Sequence, residues 1–158
     1  MKYDVIIAGG GASGMTAAIT AARRGCSVLV LERMDRPGKK ILATGNGRCN
    51  LTNSYLDQDC YRGEKPGFPY SMLEVFGAAE TLDFFQSMGM LTTDLGGCYY
   101  PASMQASTVV DTLTGKMRQL GVHIKTGTEV KKIQKIKDTF HVTCGTEKYQ
   151  GRNVILAA

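Results

Sequence analysis

Residues 3–32 read YDVIIAGGGASGMTAAITAARRGCSVLVLE, and this stretch decides the fold. Residues 3–8 are apolar from Val5 onward and have the pattern of a buried parallel strand. From Met15 to Arg24 small residues recur at helical spacing, and Gly25 stands where a helix commonly ends in a left-handed residue. Residues 27–31 read SVLVL and are apolar from Val28 onward. The stretch therefore predicts a complete β-α-β unit.

The turn between the first strand and the helix has the spacing Gly9-x-Gly11-x-x-Gly14. In such a turn Gly9 permits the sharp bend, Gly11 lets a pyrophosphate approach the backbone, and Gly14 allows helix and strand to pack closely. The free N–H groups at the start of the helix then bind the anion, and the helix dipole favours its negative charge. The turn predicts a dinucleotide site.

An acidic residue closes the second strand, since Glu32 lies 18 residues after Gly14. Its carboxylate suits the two hydroxyls of an adenosine ribose and repels a 2′-phosphate, which favours FAD or NAD over NADP. Arg33 acts against this preference, because an arginine at this place can host such a phosphate.

The rest of the chain alternates between helical and strand patterns. We expect one or two helices interrupted near Gly77, a hairpin turning at Gly96-Gly97, a helix, a parallel strand, a three-stranded antiparallel meander and a final buried strand. The helices near Gly77 cover residues 71–88, the hairpin covers 90–100, the next helix 105–120 and the parallel strand 122–125. The three strands of the meander cover 130–136, 140–144 and 148–150, and the final strand covers 154–157. The predicted fold class is α/β: a Rossmann-like FAD/NAD(P)-binding domain, with a parallel sheet and an antiparallel three-stranded meander near the C-terminus.

The choice between FAD and NAD depends on the segment after the first β-α-β unit. Residues 33–69 are rich in glycine, proline and polar residues and predict a long functional loop without regular structure. An NAD-dependent dehydrogenase would continue with another short β-α-β unit. The long loop and the late meander favour FAD, and an NAD-dependent dehydrogenase domain stays as the alternative.

Composition limits the other classes of function. The chain has 158 residues, a net charge of +5 and five scattered cysteines without a C-x-x-C pair, which favours reduced thiols and a cytoplasmic location. It has no apolar run near the ~20 residues that span a bilayer. His123 and His141 neighbour no ligand set, so we predict no metal. Residues 116–137 are strongly basic but lack aromatics, which predicts a solvated face and no nucleic-acid partner.

Two motifs carry a resemblance to a known family. DVIIAGGGASG at residues 4–14 and GKKILATGNGRCNLTN at residues 38–53 closely resemble the bacterial FAD-dependent oxidoreductases that include the aminoacetone oxidases and the dehydro-bile-acid reductases. The resemblance implies a pyrophosphate site, a ribose contact, a group around the phosphates and flavin, and a backbone contact to adenine. By this resemblance the pyrophosphate would be held by Gly9, Gly11, Ala12, Ser13 and Gly14, and the ribose by Glu32 with Arg33 beside it. The group around the phosphates and flavin would consist of Gly38, Lys39, Lys40, Gly45, Asn46 and Arg48, and the backbone contact to adenine would come from Val130.

The resemblance also implies a larger parent protein. Relatives continue past the last strand into a substrate domain and a C-terminal return segment, so residues 1–158 are expected to be the N-terminal part of an FAD-binding domain. The resemblance implies a truncated fragment with weak or no retention of FAD. The parent would be a flavin-dependent oxidoreductase acting on a small-molecule substrate, with NAD(P)H as a candidate electron donor. Catalytic residues and the oligomeric state are not assigned. A non-catalytic dinucleotide-binding module is a further alternative.

Overall fold

The computed structural model describes residues 2–65 and 67–158. The chain divides into two compact units: the first runs to Ile41 and resumes at Leu113, and the second is Leu42–Thr112. The strands are β1 Lys2–Ala8, β2 Val28–Leu31, β3 Thr52–Asn53, β4 Thr92–Leu95, β5 Cys98–Pro101, β6 His123–Lys125, β7 Lys132–Ile136, β8 Thr139–Cys144 and β9 Glu147–Leu156. The helices are α1 Ala12–Arg23, α2 Tyr70–Leu73, α3 Ala78–Gln86 and α4 Ala106–Gln119.

The first unit is built on a mixed sheet. Within the described residues its strand order is β6-β2-β1-β9-β8-β7, and the neighbours from β6 to β9 are parallel. The predicted β-α-β unit is confirmed, with α1 between the parallel neighbours β1 and β2. Gly25 has a φ of +82°, the left-handed conformation expected after this helix. The parallel strand predicted at residues 122–125 is also confirmed, as β6.

Strands β7, β8 and β9 form the predicted antiparallel meander. Its first strand begins at Lys132 and not at residue 130. The prediction of a short third strand followed by a separate last strand was wrong, because β9 runs without a break from Glu147 to Leu156. The start of β9 pairs with β8, and its later part pairs with β1. One long strand therefore belongs to both the meander and the parallel sheet.

The core of this unit lies on the sheet. One cluster of buried side chains joins the central strands to the meander; its members are Tyr3, Ile6, Leu29, Leu31, Val142 and Cys144. Further buried side chains lie on α1 and on the last turns of α4: Met15, Ala18, Ile19, Leu113 and Met117. Full burial of side chains of this size stabilises a fold by about 1.5–3 kcal/mol each. Helix α1 packs on β1 and β2, the two strands that it connects, and so helps to fix their ends.

The second unit contains a small antiparallel sheet in the order β3-β5-β4 among its described strands. The hairpin predicted at Gly96-Gly97 is confirmed, with both glycines at positive φ. The predicted interruption near Gly77 separates α2 from α3. The prediction of a loop without regular structure over residues 33–69 was wrong in part: it contains the strand β3, a 3₁₀ segment at Gln58–Cys60, and 3₁₀ turns within Ile41–Gly47 that a kink at Thr44, Gly45 and Asn46 separates.

Candidate dinucleotide-binding site

The glycine turn occupies the three residues between β1 and α1. Gly9 has a φ of +110°, and a Cβ there would lie 2.5 Å from the carbonyl oxygen of Ala157 at the end of β9. A Cβ on Gly14 would collide with the carbonyl oxygen of Gly9. Only glycine therefore fits at Gly9 in the turn and at Gly14 in the first turn of α1, and the predicted structural tasks of these two residues are confirmed.

Gly11 is in a different situation. A Cβ at this residue would meet no atom within 4 Å, and its φ of −76° is accessible to any residue. Neither backbone conformation nor packing in the protein calls for glycine here. The open space beside Gly11 is what a ligand lying against the backbone needs, and this fits the predicted approach of a pyrophosphate.

The first turn of α1 offers unpartnered donors. Met15 N–H makes the first helical hydrogen bond, to Gly11 O, and no side chain caps the helix. Among the described residues, the N–H groups of Ala12, Ser13 and Gly14 have no hydrogen-bond partner. The first turn also lacks an acidic side chain. Free N–H groups at the positive end of a helix dipole bind phosphate well, so the residues present fit a pyrophosphate.

Glu32 is buried and is already bonded to the glycine turn. Its Oε2 atom accepts a hydrogen bond of 2.6 Å from Gly10 N–H, and its Oε1 atom accepts one of 2.8 Å from Met34 N–H. An ionised carboxylate has about four acceptor sites, so about two remain for ribose hydroxyls. Both backbone contacts hold the side chain in one orientation, and the contact with a ribose stays a prediction.

Gly10 is held from a second side as well. Gly38 N–H donates a 2.8 Å hydrogen bond to Gly10 O, and Gly38 has a φ of +72°. Pro37 packs so closely that a Cβ on Gly10 would lie 3.1 Å from its Cβ. The hydrogen bond from the Gly38 amide to Gly10 therefore helps to hold the glycine turn in its conformation.

The predicted cations around the phosphates differ in their surroundings. Lys39 forms an exposed ion pair of 3.1 Å with Asp35, whereas Lys40 has no ion-pair partner in the described part of the chain. The ammonium of Lys131 lowers the pKa of Glu129, and the charge of Arg33 adds a smaller effect in the same direction. The charge of Arg33 thus contributes to the electrostatic surroundings of Glu129.

The segment that leads to Val130 runs beside Glu32. Thr128 N–H donates to Glu32 O, and Gly127 N–H donates to Met34 O, both at 2.8 Å. The Val130 side chain packs against the core cluster. Its backbone N–H and C=O have no hydrogen-bond partner within residues 2–65 and 67–158. The backbone of Val130 is therefore available for the predicted contact with adenine.

The remaining predicted residues lie in the second unit, in the turn Thr44–Asn50. Gly45, Asn46 and Cys49 all have φ between +54° and +59°. Gly45 O accepts hydrogen bonds from both the backbone N–H and the side-chain Nε of Arg48, at 3.1 and 3.4 Å. These two hydrogen bonds from Arg48 to Gly45 stabilise the turn from within. The contact of Gly45, Asn46 and Arg48 with flavin stays a prediction.

Two features of the site had not been predicted. Gly38 supports Gly10 through a long-range backbone bond, and Tyr100 of β5 lies under the Arg48 guanidinium, 5.4 Å from ring centroid to Cζ. No periodicity or local motif in the sequence signals either contact. The five cysteines are all free thiols in the structure, and Cys49 is buried.

The fold and the glycine turn define the class of this protein, a Rossmann-type dinucleotide-binding chain with a meander after the crossover strands. The chain matches the HI0933-like protein Rossmann domain over residues 3–158 and belongs to this family. Its relatives are FAD-dependent oxidoreductases, and the prediction of FAD as cofactor is confirmed at the level of the family.

Two curated relatives illustrate the range of the family. The chain is 46% identical over 153 residues to the 3-dehydro-bile acid delta(4,6)-reductase of Clostridium scindens, covering 96% of this chain and 37% of that protein. It is 32% identical over 154 residues to the ribosomal RNA dihydrouridine synthase of Escherichia coli, covering 93% and 38%. The chain spans less than two fifths of the length of either relative. Because one of them is named for an RNA, the prediction of no nucleic-acid partner is not confirmed.

Solved structures share the fold at low sequence identity. The 3-ketosteroid-delta4-(5alpha)-dehydrogenase of Rhodococcus jostii RHA1 aligns with a TM-score of 0.65 at 16% identity, over 98% of this chain and 45% of that one. THI4 of Thermovibrio ammonificans aligns with a TM-score of 0.64 at 16% identity, over 99% and 57%. Among the described residues, no helix combines the length and the apolar character needed to cross a membrane.

Proposed function

We propose that residues 1–158 form the N-terminal part of an FAD-binding domain and bind the ADP half of FAD through the first unit. The start of α1 carries this proposal, because three N–H groups that have no partner among the described residues adjoin the open space at Gly11. The pyrophosphate is assigned to Gly9, Gly11, Ala12, Ser13 and Gly14. Lys40 is the cation of the Gly38-Lys39-Lys40 segment with no ion pair among the described residues, and it adds positive charge near the phosphates.

The adenosine end is assigned to Glu32 and Val130. Glu32 is buried and oriented by two backbone N–H groups, so its remaining acceptor sites can receive the ribose hydroxyls. Val130 offers a free backbone N–H and C=O, which match the donor and acceptor pattern of an adenine edge. Arg33 lies beside this end without a 2′-phosphate to bind, since the adenosine ribose of FAD carries none.

The whole protein would be a flavin-dependent oxidoreductase. Bound FAD supplies hydride and electron transfer, and the residues of this chain bind and orient the cofactor. The 46% identity to a bile-acid reductase supports a small-molecule substrate of the steroid class. NAD(P)H is the proposed electron donor. The unpaired cysteines support a cytoplasmic location.

An RNA substrate is the second candidate function, favoured by the relative from Escherichia coli and by the basic residues 116–137. Two of these cations are paired: Lys125 with Glu147 at 2.6 Å, and Lys131 with Glu129 at 2.5 Å. Pairing lowers the positive charge that phosphates would meet. The steroid-class substrate is therefore the preferred proposal.

A titration of the purified chain tests the cofactor assignment. Quenching of flavin fluorescence should give a saturable FAD isotherm, ADP should compete, and NADP should compete least because Glu32 repels its 2′-phosphate. An isotherm for NAD but none for FAD would reject the proposal. Titration of a ribosomal RNA fragment at two salt concentrations tests the second candidate: affinity that falls steeply with salt supports an RNA substrate, and no binding supports the small molecule.

A further inference from the structure

The turn Thr44–Asn50 of the second unit rests on strand β5. Leu51 N–H donates a 2.8 Å hydrogen bond to Tyr99 O, which ties the end of the turn to this strand. Cε1 of Tyr100 lies 3.4 Å from the position that a Cβ on Gly45 would occupy. The Tyr100 ring therefore lies beside Gly45 as well as under Arg48.

The Arg48 side chain is fixed at two points. Its Nε donates to Gly45 O at 3.4 Å, and its guanidinium lies over the Tyr100 ring at 5.4 Å. These contacts leave the terminal Nη groups without a hydrogen-bond partner among the described residues. Two adjacent N–H donors on a planar cation are suited to an anionic or carbonyl oxygen.

We propose that Tyr100 is a positioning residue, whose ring holds the Arg48 guanidinium so that its Nη groups face a bound ligand; in the proposed function this ligand is the flavin half of FAD. The role belongs to the ring and not to the hydroxyl, because the Tyr100 hydroxyl has no hydrogen-bond partner in the described part of the chain. A free arginine side chain samples many rotamers, and a stacked one presents its donors in a narrow range of orientations.

This inference predicts different results for three substitutions. Tyr100→Phe keeps the aromatic ring and should retain the position of Arg48. Tyr100→Leu removes the ring and should release Arg48. Tyr99→Leu is the matched control, because it changes the neighbouring tyrosine of β5, which contributes its backbone oxygen to the turn but has no ring contact with Arg48.

The first readout is the Nε–Hε resonance of Arg48 in a ¹⁵N-labelled chain, assigned by its loss in Arg48→Gln. The ring current of Tyr100 should displace this resonance, and the displacement should vanish in Tyr100→Leu and persist in Tyr100→Phe and Tyr99→Leu. An unchanged resonance in Tyr100→Leu, with circular dichroism like that of the wild type, overturns the inference. An equal change in Tyr99→Leu also overturns it.

The second readout is FAD affinity. Tyr100→Leu should weaken FAD binding by roughly three- to tenfold, the scale of a lost cation–π contact, and leave ADP binding unchanged. The double variant with Arg48→Gln should bind FAD no more weakly than Arg48→Gln alone, because Tyr100 acts through Arg48. Additive losses would overturn the inference. A wild-type chain that binds no FAD would overturn the proposed function alone, since the resonance still decides whether Tyr100 positions Arg48.

Discussion

The carboxylate of Glu32 accepts a hydrogen bond of 2.6 Å from the backbone N–H of Gly10, 22 residues earlier in the chain. The same carboxylate accepts a second bond from Met34 N–H, and the side chain is buried. The residue that should bind the ribose therefore also shapes the glycine turn. Substitution of Glu32 should consequently affect both stability and ligand binding.

Glu32→Gln should lower the free energy of unfolding by about 2 kcal/mol, because a neutral amide replaces a charged acceptor of two buried N–H groups. FAD affinity should fall by about tenfold, since the ribose loses a charge-assisted partner. Urea unfolding and fluorescence titration measure these effects. Glu129→Gln is the matched control: its carboxylate is exposed and paired with Lys131, so both quantities should stay near those of the wild type. Equal losses in the two variants would contradict the prediction.

The glycine turn should separate stability from binding. Gly14→Ala places a Cβ against Gly9 O and should destabilise the fold by about 1–3 kcal/mol. Gly11→Val enters open space, so its midpoint of thermal unfolding should equal that of the wild type, while FAD binding falls by at least about tenfold from steric exclusion. Thermal unfolding with and without FAD checks both variants. Normal FAD affinity in Gly11→Val would place the pyrophosphate elsewhere.

A glycine within β9 should tolerate no side chain. A Cβ on Gly151 would lie 2.9 Å from Cγ1 of Ile6, which is fully buried, so Gly151→Ala should cost about 1–3 kcal/mol by overpacking. Gly115 in α4 is exposed and has open space around it, so Gly115→Ala should stabilise the protein by about 0.5–1 kcal/mol. Denaturant unfolding should give opposite signs for the two changes, and the same sign would refute the assigned packing.

Asp4 should contribute to stability in a pH-dependent way. Hydrogen bonds from the Ser27 hydroxyl and backbone N–H, with a smaller effect of Arg152, hold the pKa of Asp4 below its ordinary value of 3.8. A lowered pKa in the folded state means that the contribution is complete above pH 3.8 and is lost as the pH falls through the folded pKa.

Thermal unfolding of the wild type and Asp4→Asn between pH 2 and pH 6 measures this contribution. The wild type should unfold at the higher temperature at pH 6, and the difference should shrink only below about pH 4. A difference that is constant over the whole range would show that the carboxylate charge has no part in it.

The sequence was informative where the signal is local. The glycine turn, α1, the hairpin at Gly96-Gly97 and α4 follow from short-range periodicity and from backbone positions that need positive φ. The continuity of β9 could not be predicted, because Gly151 and Arg152 interrupt its apolar pattern, and only pairing with β1 and β8 keeps them extended. Strand β3 has only two residues and depends on its distant partner β5.

In the candidate site, too, local sequence signals were predictable and contacts between distant residues were not. Gly9, Gly14 and Glu32 could be identified because their spacing within one β-α-β unit constrains them. The bond from Gly38 to Gly10 and the contact of Tyr100 with Arg48 join residues 28 and 52 positions apart, and neither contact has a local sequence signature. The ligand contacts of the predicted residues are predictions, which the titrations with FAD, ADP and NADP test.

Strand β9 also determines which strands of the first unit should unfold together. Gln150 pairs with both Lys2 and His141, and Gly151 pairs with both Tyr3 and Phe140, so three strands meet at these two residues. Beyond them the strand leads to Ala157, whose carbonyl lies against Gly9. The meander cannot detach from β9 without loosening the strand that supports the glycine turn. In amide hydrogen exchange, β1, β8 and β9 should therefore be protected and lose protection together, as one cooperative unit.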